Sequence, residues 1–214
     1  MKTRILFYND PYLTEFDATI ELIEENSIKL SQTCFFPESG GQPFDTGFIA
    51  DKIVTAVKKD RETGEIVHVV DNVTLLQIGQ VVKCSIDWEK RHKHMRLHSA
   101  LHVLYLVFIE KYGKIPLKGS NIEFDKARLD FEYFEIIDVK HLSKRTNEII
   151  AKFVDIETGD DLKNNQYRYW KIDEFDVIPC GGTHVRNTSE IGAISCRLKN
   201  KGKQGQRIYI ELQS

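Results

Sequence analysis

Two histidines separated by three residues give this sequence its first candidate for metal chemistry. His98 and His102 lie within Glu89–Tyr112, a segment that has neither glycine nor proline and repeats apolar residues at helical spacing. On a helix, side chains four positions apart share one face, so both imidazoles can reach one ion. Ser99 follows the first histidine, where zinc proteases with an H-E-x-x-H motif carry their glutamate base, so the segment does not predict a metalloprotease.

A cysteine and a third histidine flank a glycine pair much later in the chain. The segment Cys180–His184 reads Cys-Gly-Gly-Thr-His, and its glycines permit a tight loop that presents a thiolate and an imidazole together. Three imidazoles and one thiolate form a donor set that favours Zn²⁺ over Mg²⁺ or Ca²⁺. We therefore predict one zinc ion per chain, bound by His98, His102, Cys180 and His184.

Four protein ligands leave the role of this metal open. A tetrahedral zinc with four protein ligands is normally structural, whereas a catalytic zinc keeps one position for water or substrate. Catalysis would require one ligand to yield its position, and the candidates are His98 and His184. The sequence does not choose between them.

A glycine-containing loop interrupts the first half of the chain. Phe35–Pro43 reads Phe-Phe-Pro-Glu-Ser-Gly-Gly-Gln-Pro, and Gly40 and Gly41 permit the backbone to approach another surface or a ligand closely. No Lys-Ser or Lys-Thr pair follows the glycines, so the loop is not a phosphate-binding P-loop. From composition alone, the loop is more simply a turn between barrel strands.

The elements that must position these motifs differ between the two halves. Short alternating strands in residues 1–88, with a hairpin turn at Glu25-Asn26, predict a small β-barrel that carries the glycine loop. The predicted strands are Asp17–Ile23, Ser27–Ser31, Phe48–Val57, Ile66–Val70 and Val81–Ile86.

Residues 89–214 mix helical and strand patterns and predict an α+β domain that holds all four metal ligands. The helix Glu89–Tyr112 is expected to stop at Gly113, and a second helix, Val139–Val154, is expected to be capped by Asp138. The predicted strands are Ile122–Phe124, Ala127–Tyr133, Tyr167–Ile172, Glu190–Leu198 and Arg207–Leu212.

Charge is distributed unevenly along the chain. Residues 1–88 have a net charge of −6 and residues 89–214 a net charge of +4, which favours an anionic partner for the second half. No apolar run approaches the roughly 20 residues that span a bilayer, and the start of the chain lacks a secretory pattern. The four cysteines are widely spaced and do not form a disulfide framework. We expect a cytoplasmic protein that does not bind membranes.

Three motifs together resemble one known family. The HxxxH pair His98 and His102, the segment Cys180–His184 and the loop Phe35–Pro43 are similar to those of the AlaX proteins, which are free-standing relatives of the editing domain of alanyl-tRNA synthetase. The segments Lys118–Ser120 and Lys199–Ile208 also fit. The resemblance covers nearly the whole chain and is strongest to the medium-length type. It implies a translation-factor-like β-barrel followed by an α+β editing domain.

The resemblance also implies a reaction. It is hydrolysis of the ester that joins serine, or glycine, to the terminal adenosine of alanine tRNA, with zinc activating a bound water or holding the substrate. We identify no protein side chain as the general base. The predicted substrate-binding residues are Thr33, Gly40, Gly41, Gln42 and Thr183.

Basic clusters in the second half are expected to bind the tRNA phosphates, and we expect no binding to DNA. Their members are Lys90, Arg91, Lys93, Arg96, Lys199, Lys201, Lys203 and Arg207. Leu101 and Leu117 stand where some synthetase editing domains carry Thr and Gln, so contacts known there do not transfer. Two alternatives stay open: a tRNA-binding module with a structural zinc, and a zinc hydrolase of small esters or amides.

Overall fold

The computed structural model of the chain describes residues 2–60, 62–160 and 168–213. It separates into two compact units. The first holds the chain up to Ser39 and Pro43–Arg91; the second holds Gly40–Gln42 and the chain from His92 onward. No helix in the described ranges is long and apolar enough to cross a membrane.

The first unit is a closed barrel of six antiparallel strands, which confirms the predicted small β-barrel. Around the barrel the strands follow the order β2-β3-β7-β6-β5-β8. Their bounds are β2 Glu15–Glu24, β3 Ser27–Leu30, β5 Gly47–Ile49, β6 Lys52–Lys59, β7 Ile66–Val70 and β8 Val81–Ile86. A parallel pair, β1 Arg4–Ile5 and β4 Gln32–Thr33, lies outside this ring.

The barrel strands alternate because one side of each faces an apolar core. In β7, for example, Ile66, His68 and Val70 are buried while the residues between them are half-exposed. The predicted hairpin at Glu25-Asn26 is present, with Glu25 in the left-handed region at φ 53°. The predicted strand Phe48–Val57 is instead two strands, because Ala50 at φ 55° turns the chain between β5 and β6.

The long helix α1 spans Trp88–Tyr112. It stops where predicted, because Gly113 adopts φ 81° and donates its N–H to the carbonyl of Ile109 at 2.9 Å. At its start, Arg91 lies in the first unit and is fully buried, where it forms an ion pair with Asp45 and donates to the carbonyl oxygens of Pro11 and Cys34.

The second unit contains a four-stranded antiparallel sheet, a three-stranded sheet and a second helix, α2, at Val139–Ile150. The first sheet has the order β14-β15-β10-β9 and the second β11-β12-β13. Their bounds are β9 Leu117–Ile122, β10 Lys126–Phe131, β11 Ile156–Asp160, β12 Arg168–Ile172, β13 Ile178–Pro179, β14 Ile194–Asn200 and β15 Gln206–Leu212.

Helix α2 begins as predicted, because the Asp138 carboxylate accepts the N–H of His141. It ends at Ile150 rather than Val154. Phe153 adopts φ 56°, which an α-helix does not permit, and its ring is exposed instead of packing on the helix face.

Several predicted strands in this unit are displaced. The hairpin partner of β10 is β9, so the prediction Ile122–Phe124 began too late, and Phe124 is exposed beyond the strand. The prediction Glu190–Leu198 began too early, because residues 188–190 form a 3₁₀ turn capped by Asn187. The predicted residue Tyr167 lies outside the described residues.

A polar pair occupies the core of the barrel. The Thr33 hydroxyl lies 2.8 Å from His68 Nε2, and both side chains are fully buried. His68 Nδ1 lies 3.2 Å from the carbonyl of Ile28. Burial lowers the pKa of His68 to about 4, although the Ile28 carbonyl opposes this effect.

Acid should destabilise the fold through His68. Because its folded pKa lies below the ordinary value of about 6.5, the unfolded chain binds more protons between pH 6.5 and 4. The destabilisation that results from this proton uptake is absent above pH 6.5 and grows as the pH falls. From pH 7 to pH 5, the free energy of unfolding of the parent should fall because His68 is protonated on unfolding. In the His68→Gln variant, this fall should be smaller by about 2 kcal/mol. Urea unfolding at both pH values measures this difference, and equal losses in the two proteins would refute it.

Candidate metal centre

Helix α1 and the loop after β13 bring the four predicted metal ligands together. His98 and His102 lie one helical turn apart, and their stacked rings have centroids 4.9 Å from each other. The ring of His184 lies 4.3 Å from that of His98 and 5.0 Å from that of His102. The spacing predicted from the two motifs is therefore realised as one cluster of three imidazoles and one thiol.

The donor atoms are close enough for one ion to bind all four. They lie within 4.8 Å of one another, and this group could hold a metal ion. Cys180 Sγ lies 3.6 Å from His98 Nε2 and 3.3 Å from His184 Nε2. Bonds of about 2.0–2.3 Å to a tetrahedral ion place ligand atoms roughly 3.3–3.6 Å apart, so the sulfur is suitably placed.

One ring nitrogen in this group gives an independent indication of a metal. His102 Nε2 is buried and has no hydrogen-bond partner among the residues that the structure describes. Buried polar atoms are almost always paired, and an unpaired one costs about 1–3 kcal/mol. A metal ion bound by the other three donors would supply the missing partner.

Glycine is required at one position of the Cys180–His184 loop. A Cβ atom at Gly182 would lie 2.6 Å from His98 Nδ1 and 2.8 Å from Gln42 Oε1, which is closer than such atoms pack. The N–H of Gly182 also points to Cys180 Sγ at 3.4 Å. The glycine therefore allows the loop to pass directly beside the His98 ring.

Gln42 fixes the orientation of His98. Its Oε1 accepts the backbone N–H of Thr183 at 3.1 Å and lies 2.9 Å from His98 Nδ1, and its Nε2 donates to the Thr183 hydroxyl at 2.7 Å. Because a carbonyl oxygen only accepts, His98 Nδ1 must carry the hydrogen. His98 Nε2 is left with its lone pair, on the side where Cys180 Sγ lies. Gln42 is fully buried, so both ends of its amide are used by the protein.

Ser99 supports His184 in the same manner. The Ser99 hydroxyl lies 3.3 Å from His184 Nδ1 and accepts the N–H of Val185 at 3.3 Å. His184 Nε2 is therefore the nitrogen that faces Cys180 Sγ. Second partners of this kind set the tautomer and the ring angle of metal-binding histidines.

Burial holds the imidazoles in the neutral form that binds metals. Burial, followed by the nearby His94, lowers the pKa of His98 to about 4. Burial also holds the pKa values of His102 and His184 well below the ordinary value, with neighbouring imidazoles adding to the effect. Burial raises the pKa of the Cys180 thiol to about 11, against the Gly182 N–H and the positive charge of Arg168.

Of the predicted substrate-binding residues, four lie in the second unit with the cluster and one, Thr33, lies in the first unit. Gln42 and Thr183 are beside it, and Gly41 precedes Gln42 with its carbonyl accepting the N–H of Ile122 at 2.8 Å. Gly40 is exposed, and its carbonyl oxygen accepts a hydrogen bond from the Ser120 hydroxyl at 3.4 Å. Thr33 belongs to the first unit, and its hydroxyl is engaged in the barrel core. The geometry gives Thr33 a structural role there.

The first predicted tRNA-binding cluster changes in composition. Arg91 is fully buried and paired with Asp45, so it is removed from the predicted tRNA surface. Arg96 donates to the carbonyl of Ile191 at 2.9 and 3.0 Å, which commits much of its guanidinium to the protein. Lys90 and Lys93 are half-buried, with their ammonium groups over aromatic rings.

The second cluster lies on β14, β15 and the turn between them. Lys199 and Lys203 are exposed, and Lys201 is half-buried. Arg207 is held in an ion pair with Asp130. These residues therefore remain on the surface of the second unit.

Three residues near the metal ligands were not anticipated from the sequence. In the sequence, Ser99 stands only where a zinc protease would carry glutamate, and its contact with His184 depends on how the loop folds. Trp170 of β12 is fully buried and packs its ring 4.9 Å from that of His102. The backbone carbonyl of Arg168 accepts a hydrogen bond from the N–H of Cys180 at 2.7 Å. No local motif marks either residue, because the Arg168 contact follows from the pairing of β12 with β13 and the Trp170 contact from the packing of β12 on α1.

Family models match both halves of the chain. Residues 3–90 match the model of class II (A) tRNA synthetases, and residues 156–209 match the threonyl and alanyl tRNA synthetase second additional domain. The chain is 39% identical to the alanyl-tRNA editing protein AlaX-M of Pyrococcus horikoshii, over 98% of each chain. It is 33% identical to the AlaX-M protein of Methanosarcina barkeri, over 98% of this chain and 99% of that one.

Longer relatives contain the same two regions. The alanine–tRNA ligase of Methanococcus aeolicus is 34% identical over 90% of this chain, which corresponds to 24% of the ligase.

Removal of the Gln42 amide should weaken metal binding. We expect Gln42→Met, which keeps the length of the side chain but loses its hydrogen bonds to His98 and Thr183, to lower the affinity for a divalent metal about 10–100-fold. Competition with a chromophoric chelator measures the affinity. Gln77→Met, at an exposed glutamine of the first unit, is the matched control and should bind as the parent does. An unchanged affinity in Gln42→Met would show that the amide does not orient His98.

Proposed function

This chain belongs to the AlaX-M family of alanyl-tRNA editing proteins, and we propose that it hydrolyses the aminoacyl ester of tRNA(Ala) mischarged with serine or with glycine. The observation that carries the proposal is the cluster of His98, His102, Cys180 and His184, whose donor atoms lie within 4.8 Å of one another. The curated AlaX-M relatives match essentially their whole length, so the comparison extends over both units.

We propose Zn²⁺ as the ion. Three neutral imidazoles and a thiolate form a soft donor set. Mg²⁺ and Ca²⁺ prefer carboxylate and carbonyl oxygens and bind such a set weakly. In the described part of the chain, His102 Nε2 is buried without a hydrogen-bond partner. A metal ion bound at this nitrogen would supply that partner. A zinc ion in such a set supplies Lewis acidity to a carbonyl group or to a water molecule.

The chain's own residues would hold the donors rather than react. Gln42 keeps His98 Nδ1 protonated, and Ser99 occupies Nδ1 of His184, so both rings present Nε2 to the same point. In the overall reaction, water adds to the ester carbonyl and the C–O bond to the ribose breaks. Free amino acid and the terminal ribose hydroxyl result. We assign the proton transfer to water or to the substrate's own ribose hydroxyl.

Exposure indicates where the substrate would approach. His98 and His184 are buried, and each is tethered through its second nitrogen, whereas His102 and Cys180 are only half-buried. We therefore propose that the substrate approaches the cluster from the side where His102 and Cys180 are partly exposed.

Thr183 is the proposed contact for the serine hydroxyl. Its oxygen accepts a hydrogen bond from Gln42, which leaves its own hydrogen for another acceptor. Gln42 uses both ends of its amide within the protein, so we give it an orienting role instead. The Gly40-Gly41 backbone, with Gly41 at φ 84°, brings Gln42 to this position.

The test is deacylation by purified protein of tRNA(Ala) charged with serine, glycine or alanine, together with free aminoacyl esters. We expect the Ser- and Gly-charged tRNA to be hydrolysed and the Ala-charged tRNA to persist. Hydrolysis of the free esters alone would instead identify a hydrolase of small molecules.

A cysteine pair separates a catalytic metal from a structural one. We expect Cys180→Ala to stay folded, lose bound zinc and lose at least about 100-fold in deacylation rate, because the donor set loses its thiolate. Cys196→Ala, at a half-buried cysteine on β14, should keep both zinc and activity. Metal analysis and the melting temperature accompany the rate. Full activity in Cys180→Ala would refute the site, and unfolding with metal loss would favour a tRNA-binding module with a structural zinc.

Discrimination against alanine should be stronger for serine than for glycine. A contact to the serine hydroxyl can reject an analogue that lacks it by roughly 10⁴–10⁵. Glycine lacks that hydroxyl, and exclusion of a single methyl group is worth only about 1–3 kcal/mol. The ratio of kcat/KM for Ser- over Ala-tRNA(Ala) should therefore exceed the ratio for Gly- over Ala-tRNA(Ala). Equal ratios would remove Thr183 from its proposed role.

A further inference from the structure

One side of the four-stranded sheet is unusually basic for this chain. Alternate residues of a strand share one side of a sheet. The registers of β9, β10, β14 and β15 therefore place five basic side chains on one side, namely Lys126, Arg128, Arg197, Lys199 and Arg207. The acidic side chains of the same strands on that side are Asp130 and Glu211. This surface, which we call the basic face, has a net charge of +3 in a chain whose net charge is −2.

The opposite side of the same sheet is occupied by the protein itself. Phe131 of β10 stacks on Phe108 of α1 with ring centroids 3.8 Å apart, and Leu129, Ile208 and Ile210 are buried. The basic face has no such apolar residues and carries exposed Arg197 and Lys199. An apolar protein partner is therefore a poor match for it, and a polyanion is a good one.

Asp130 and Tyr209 hold the arginines of the basic face in position. The Asp130 carboxylate forms ion pairs with both Arg128 and Arg207, and Arg207 also donates to the Tyr209 hydroxyl at 3.2 Å. The guanidinium of Arg197 lies 4.7 Å from the centroid of the Tyr209 ring. Fixed guanidinium groups bind phosphate oxygens with little further loss of side-chain entropy.

The sheet connects the basic face to the metal centre. On one side, the turn between β14 and β15 adds Lys201 and Lys203. On the other, edge strand β9 binds the Gly40–Gln42 segment through the N–H of Ile122, and Gln42 contacts His98. Strands spaced about 4.8 Å apart make this four-strand sheet roughly 14 Å wide. A ligand on the basic face therefore lies on the sheet whose edge strand supports the metal ligands.

We propose that the basic face binds the sugar-phosphate backbone of an RNA whose aminoacylated end enters the metal centre. This inference rests on the proposed function for the identity of the RNA. It adds Lys126, Arg128, Arg197 and Tyr209 to the residues predicted from the sequence. Asp130 becomes the residue that positions two of the arginines.

The test uses uncharged tRNA(Ala), so that it needs no hydrolysis. We expect the double variant Arg197→Ala/Lys199→Ala to raise the Kd about tenfold near 100 mM KCl and to reduce the slope of log Kd against log salt by about 1–2, because two phosphate contacts are lost. Fluorescence anisotropy across a KCl series measures both quantities. The charge-retaining variant Arg197→Lys/Lys199→Arg should keep the parent slope.

Lys114→Ala/Lys144→Ala is the matched control, because it removes the same charge from two exposed lysines outside the basic face. It should bind tRNA with the parent slope, and unfolding midpoints establish that all variants are folded. If Arg197→Ala/Lys199→Ala matches this control, the inference is overturned even where the protein hydrolyses Ser-tRNA(Ala). If the binding differences appear but no deacylation occurs, the basic face stands and the proposed function fails.

Discussion

The cluster of metal ligands in the second unit is held by a buried amide that connects three distant parts of the chain. Gln42 binds His98 on α1 and both the backbone and the hydroxyl of Thr183, which lies 141 positions later in the sequence. A buried amide must satisfy its donors and its acceptor, so these bonds restrict how the helix, the loop Cys180–His184 and the glycine segment lie together. The positions of the metal donors follow from this restriction.

The close spacing around that amide explains the glycines. Gly182 is small enough to pass the His98 ring, and Gly41 lies against the backbone of Ser120 on β9, where a Cβ atom would be 2.5 Å from the Ser120 carbonyl oxygen. Each glycine therefore removes an atom at a point where two segments must meet. The same edge strand then continues into the sheet whose far side carries the basic residues.

Local spacing in the sequence was enough to predict each of the two pairs of candidate ligands, the helix α1 and most barrel strands, because each of these follows from residues near one another in the chain. The role of Gln42 was not predictable, since it depends on a partner across 141 positions. Arg91 stands beside other basic residues and is indistinguishable from them in sequence, but only Arg91 meets the buried carboxylate of Asp45. Strand β11 was missed because Ile156–Asp160 is mostly polar and exposed and therefore has no apolar alternation.

We propose that His98, His102, Cys180 and His184 together hold one metal ion. X-ray absorption spectroscopy at the zinc edge of the purified protein tests this directly, because sulfur and nitrogen scatterers differ in distance and amplitude. We expect one sulfur at about 2.3 Å, with nitrogen donors at about 2.0–2.1 Å. A zinc shell of nitrogen and oxygen alone, without the sulfur of Cys180, would contradict the account.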